Sequence, residues 1–97
     1  MTTQNLVFDL DMLTDQVKPI TLQVRDLQEG ETVQSATVEH TPPSGNPIDI
    51  DATPDTPYVN MLFGPFTPAG HHFVKVVPVG SNGSKAAVLY QIRVRGG

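Results

Sequence analysis

Residues 63–83 read FGPFTPAGHHFVKVVPVGSNG: a turn punctuated by Pro and Gly, a β-rich run from Phe73 to Val79, and a closing Gly-Ser-Asn-Gly. Pro65, Pro68 and Gly70 interrupt regular structure. Asn82-Gly83 supplies the two positive-φ positions that a type I′ hairpin needs before the next strand. Turn, apolar strand and tight turn describe a β scaffold and carry no chemistry of their own.

Working outward, the rest of the chain repeats this pattern. Prolines run from Pro19 to Pro78, and no window keeps apolar residues at helical spacing for three turns, so helix signals are almost absent. Leu6 to Leu10 is a short apolar patch. Ile20, Leu22 and Val24 alternate with Thr21, Gln23 and Arg25, and Glu29-Gly30-Glu31 turns the chain. Val33 to His40 places Ala36, Val38 and His40 on one side and Thr37 and Glu39 on the other. Residues 41–57 hold five prolines with only Ile48 and Ile50 as bulky apolar anchors, which predicts a long Pro-rich loop with a short edge strand around Ile48 to Asp51. Tyr58 to Phe63 and Val74 to Val79 are apolar at nearly every position, as in strands that sit centrally or face a partner. Ala87 to Val94 sets Tyr90, Ile92 and Val94 against Gln91, Arg93 and Arg95, and closes the sheet. About seven short strands at regular turn spacing predict an all-β, immunoglobulin-like two-sheet antiparallel sandwich, with an open barrel or jelly roll as the alternative.

The chain of 97 residues suits a single domain over 1–97, with an N-terminal arm and first strand in 1–17. It has no cysteine, which removes disulfides, thiolate metal sites and cysteine nucleophiles and leaves the compartment open. Six basic residues against ten acidic ones give a net charge of −4, with the cations scattered, so nucleic acid is not expected as a partner. The terminal Arg93, Arg95, Gly96 and Gly97 read as a solvated chain end. No apolar run approaches the roughly 20 residues of a membrane span, and the first residues lack the pattern of a secretory signal, so a soluble protein without a membrane partner is expected.

Chemistry-bearing residues are sparse. His71 and His72 are neighbours on a strand and point to opposite faces, so they do not chelate one ion together, and His40 has no spacing relation to them. Asp49, Asp51 and Asp55 gather in a loop, but Ala52, Thr53 and Pro54 break the pattern of an EF-hand. Asp9, Asp11 and Asp15 read as solubilising a strand end. No G-x-S-x-G, H-E-x-x-H, P-loop or G-x-G-x-x-G occurs. No catalytic residue, metal or cofactor is therefore expected. Tyr58, Met61, Phe63 and Phe66 cluster around a Pro-Gly turn, and an alternating strand must present one side away from the core. Together with Ile48 and Ile50 they are the expected interface residues.

From Lys18 to Arg95 the order of features resembles the small immunoglobulin-like structural proteins of tailed bacteriophages, the head-decoration and tail- or fibre-adaptor group. The segments that carry the resemblance are GETVQSATV at 30–38, YVNMLFGPF at 58–66, PAGHHFV at 68–74 and GSNG at 80–83. It implies a non-enzymatic virion protein, made in the host cytoplasm. Such a protein binds a major capsid or tail protein in symmetric copies through the loop 41–57, the arm 1–17 and the turn Phe63 to Phe66. The departures from the family pattern lie in one place. Phe73 stands where a tyrosine is expected, which would remove a tyrosine-corner hydrogen bond, and Lys75 falls with Phe73 and Val77 on the inward set unless a bulge shifts the register. A carbohydrate- or receptor-binding module of a larger surface protein is the rival reading.

Overall fold

The computed structural model of the chain describes residues 6–25 and 27–96. Residues 1–5 of the expected arm, Asp26 and Gly97 of the chain end lie outside the described residues. The strands are β1 Leu6–Leu13, β2 Lys18–Gln23, β3 Val33–Thr41, β4 Ile48–Asp49, β5 Ala52–Asp55, β6 Tyr58–Phe63, β7 Gly70–Gly80, β8 Gly83–Ser84 and β9 Val88–Arg95. One sheet has the order β1-β9-β7-β3-β4 with β8 added to β7, and the other the order β2-β6-β5. The neighbours β9-β7-β3 and β2-β6-β5 reproduce the G-F-C and B-E-D arrangements of an immunoglobulin-like sandwich. No ladder joins the two sheets among the described residues, so the sandwich is open and not a closed barrel.

β9 buries the face that its alternation predicts, and β6 buries one face of a run that is apolar on both. On β9, Val88, Tyr90, Ile92 and Val94 point inward and Gln91, Arg93 and Arg95 outward. On β6, Val59, Met61 and Phe63 are core. These residues meet Val74 and Val76 of β7, Val38 of β3, Leu22 of β2 and Met12 of β1 in one cluster. Sealing a Val, Ile or Phe in such a core contributes about 1.5–3 kcal/mol each, set against the ordering entropy of the chain. Phe63 meets Tyr90 edge-on, with centroids 5.2 Å apart and planes at 87°, a favoured aromatic geometry.

The structure corrects several local expectations. Among the described residues nine strands stand where about seven were expected, and β1 runs parallel to β9, so the sandwich is not wholly antiparallel. Residues 41–57 are not one loop. The expected edge strand is β4, paired with β3, and the chain then crosses at Ile50-Asp51 to become β5 on the edge of the other sheet. Prolines permit this because an edge strand has one side that needs no N–H donor, and Pro54 sits in β5. The Ile50 N–H donates to Val38 carbonyl at 2.9 Å and holds the crossing in place.

The hairpin after β7 has Ser81-Asn82 as its two loop residues, because Gly80 pairs with Gly83; the turn is centred one residue earlier than Asn82-Gly83. The cause is long-range. Glu31 is buried and its carboxylate accepts the N–H groups of Gln28 and Asn82, each at 2.9 Å, and the Lys85 ammonium at 2.7 Å. The Ser81 N–H donates to Thr32 carbonyl at 2.9 Å. A side chain on Gly80 would run into the Glu31 carboxylate, so that glycine makes room for the clamp.

No bulge was needed at Phe73. Phe73 and Lys75 are exposed on the outer face, while His72, Val74, Val76 and Pro78 point inward. The register irregularity lies in β3, between Val33 and Ser35.

Candidate functional site

The expected interface residues separate into two groups. Met61, Phe63 and Phe66 are buried in the core and present no side chain to a partner. The correction has a simple cause: Met61 and Phe63 share the inward parity of Val59, and Phe66 folds back from the Pro-Gly turn to cover the sandwich end. Ile50 is half-buried against the core. Tyr58 and Ile48 remain exposed, Tyr58 on the outer face of the three-stranded sheet and Ile48 on β4 at the edge of the other. Asp49, Asp51 and Asp55 are all exposed, and Asp49 and Asp55 belong to different sheets, opposite Glu39 and Tyr58 respectively.

A surface of a different composition lies along β1 and β2. Among the described residues each is the terminal strand of its sheet, so each offers a free edge. The two edges border an open groove of about 370 Å³. Its apolar lining is Phe8, Leu10, Ile20, Leu22 and Tyr90, with Asp9, Gln23 and Arg25 also bordering it. Phe8 stacks on Tyr90 at 5.3 Å and is still 39% exposed. Val7, Leu13 and Val17 are exposed in the same N-terminal part of the chain. The signal for this surface was present in Leu6 to Leu10, an apolar patch without alternation. Asp9 and Asp11 point out of the edge strand, a common guard against indiscriminate pairing of edges.

The outer face of the three-stranded sheet is different again. Its rows are Pro19 with Leu62, Thr21 with Asn60 and Thr53, and Gln23 with Tyr58 and Asp55. The Thr21 hydroxyl donates to Asn60 Oδ1 at 2.9 Å, which fixes the amide beside the exposed Tyr58 ring.

Sequence spacing gave no relation between His40 and the pair His71-His72, yet β3 and β7 bring His40 and His72 together. His72 is fully buried and His40 is 6% exposed. His40 Nε2 lies 2.7 Å from His72 Nδ1, and His72 Nε2 lies 2.6 Å from the carbonyl oxygen of Pro68. Their ring planes differ by 18° with centroids 5.0 Å apart, the arrangement of an in-plane N–H···N bond. Phe66 covers His40, centroids 4.1 Å apart. His71 points outward, as the alternation predicts.

His72 also resolves the departure at Phe73. A tyrosine corner places its ring near the start of this strand, two residues before a core position, and bonds back to upstream backbone. His72 stands two residues before buried Val74 and bonds to the carbonyl four residues upstream, so it performs that bond and Phe73 is free to face outward.

Burial first, and then the neighbouring His72, lowers the pKa of His40 from its ordinary 6.5. Glu31 moves down to about 2, chiefly through the Gln28 N–H, then through Lys85, against an opposing contribution from burial. Among the described residues no group of three or more His, Asp or Glu is placed to hold a metal ion. No family model, curated protein or solved structure matches the chain.

Proposed function

We propose that the protein is a non-enzymatic virion structural protein that docks on an assembled capsid or tail surface, as head decoration or as a tail or fibre adaptor. The observation that carries this reading is the groove with an apolar lining between β1 and β2, each the terminal strand of its sheet among the described residues. Two unpaired edges beside apolar side chains suit strand addition, in which main-chain hydrogen bonds give affinity and alternate side chains give register. The partner is a major capsid or tail protein, met in many symmetric copies, so a weak contact per copy suffices. The immunoglobulin-like fold and the segment resemblance at 30–38, 58–66, 68–74 and 80–83 support the same reading.

Co-sedimentation with purified phage heads and with purified tails tests it. Saturable binding to one particle, weakened by Phe8→Glu in the groove, is the expected outcome. Monomeric behaviour with no binding to either particle counts against it.

A second reading, a carbohydrate-binding module, is favoured by the exposed Tyr58 ring beside the Thr21–Asn60 pair and Gln23. An aromatic face with oriented amides is how neutral sugars are held. Binding on a glycan array that Tyr58→Ala abolishes would move the assignment to that class.

A further inference from the structure

We propose that His40, His72 and the Pro68 carbonyl form an acid-sensitive latch that holds the corner Gly64 to Ala69 closed at neutral pH and releases it, with Phe66, before the rest of the sandwich unfolds. The inference is independent of which partner the protein binds.

The hydrogen bonds determine where protons sit. A carbonyl oxygen only accepts, so His72 Nε2 carries the hydrogen that reaches Pro68 at 2.6 Å. Neutral His72 then has a bare Nδ1, and His40 Nε2 must carry the hydrogen of the 2.7 Å bond between the rings. One backbone carbonyl thus sets both tautomers, and His40 Nδ1 is the ring position left for an incoming proton. One proton there keeps both bonds, and the face of Phe66 at 4.1 Å softens the new charge. A second proton, on His72 Nδ1, would set N–H against N–H, and the bond between the rings would have to break.

The surroundings offer no countercharge. On β3 and β7 the ionisable neighbours Glu39, His71 and Lys75 face the outer side, and Asp49 of β4 pairs with Glu39 there. Residues 64–69 contain only Gly, Pro, Phe, Thr and Ala, and β6 brings Met61 and Phe63 to this side. Asp51 and Asp55, before and within β5, are exposed. Among the described residues neither ring is within ion-pair distance of a carboxylate. Burial also lowers the affinity of His40 for a proton, so the closed latch resists charging.

Opening the corner returns His40 to water, where it takes a proton near the ordinary 6.5. Opening is therefore linked to the uptake of a proton by His40, and the open fraction grows up to roughly tenfold for each pH unit below that value.

Amide hydrogen exchange followed by NMR at pH 7.5 and pH 5.5, read as protection factors, tests the latch on the wild-type chain. The expected result is a roughly tenfold loss of protection over residues 66–73 at pH 5.5, with the amides of Leu22 and Met61 keeping theirs. Unchanged protection over 66–73, or loss spread equally over the whole sandwich, overturns the proposal. Imidazole nitrogen shifts give a second reading: both rings as Nε2–H tautomers at pH 7.5 support it, and a His72 Nδ1–H tautomer overturns it. In His40→Gln the amide N–H can still donate to His72 Nδ1 without titrating in this range, so the pH dependence should vanish. Its persistence in the folded variant overturns the latch, and if that variant does not fold, the two wild-type measurements decide.

Discussion

A single carboxylate ties the turn at Gln28 to Glu31 to the hairpin at Ser81-Asn82. Glu31 collects two backbone N–H groups and the Lys85 ammonium, and its pKa falls from 4.5 to about 2. A carboxyl whose folded pKa is lowered stabilises the fold above its unfolded pKa and loses that contribution as pH falls through the folded value. Glu31→Gln should therefore be clearly less stable than wild type in urea titrations at pH 7, and the gap should close between pH 4.5 and pH 2. A gap that stays constant down to pH 2 would contradict the charge-assisted clamp. Gly64 is a second demanding residue: its φ is +101°, and a side chain there would meet the backbone carbonyl of Gln16. Gly64→Ala should cost about 1–3 kcal/mol or more by chemical denaturation, because strain and a clash with rigid backbone act together.

At the scale of elements, β1 is the strand with the most divided loyalties. Leu10 and Met12 follow β9 into the core, Met12 at 2% exposure, while Val7, Phe8 and Leu13 stay exposed. Met12→Ala should lose about 2–4 kcal/mol, and Val7→Ala should stay within roughly 0.5 kcal/mol of wild type, measured as paired urea midpoints. Equal losses at both sites would mean that the register with β9 is wrong. The apolar character of Leu6 to Leu10 was legible, but its meaning was not, since a run without alternation does not say which sheet it joins. The short strands β4 and β5 illustrate the same limit. Proline content marked residues 41–57 as an edge region, yet the change of sheet at Ile50-Asp51 depends on ladders to β3 and β6, which no local pattern encodes.

For the whole molecule, stability should respond to acid in two stages. His40 has a lowered folded pKa, so the unfolded chain binds the proton more tightly, and stability is complete above about 6.5 and declines as pH drops below it. The Glu31 contribution follows between 4.5 and about 2. Thermal unfolding from pH 8 to pH 2 should show the first decline in wild type and a much weaker one in His40→Gln, while both retain the second. A single decline confined to pH below 4.5 would remove the histidine contribution. The same long-range packing redistributed the expected interface: it drew Met61, Phe63 and Phe66 into the core and left Phe8, Leu62 and Phe73 outside.

Alternation with a period of two is a local property, and it determined from sequence alone that the chain is all β and which faces of β3 and β9 turn inward. Phe66 escaped that reading because a residue between prolines has no parity to follow. Which strands become edges, and which polar groups meet, was decided only by tertiary structure. His40 and His72 lie 32 residues apart and Glu31 and Lys85 lie 54 apart. Their hydrogen bonds exist because the sheets close over a shared core, where burial lowers the proton affinity of His40 and the hydrogen bonds from Gln28 and Lys85 lower that of Glu31.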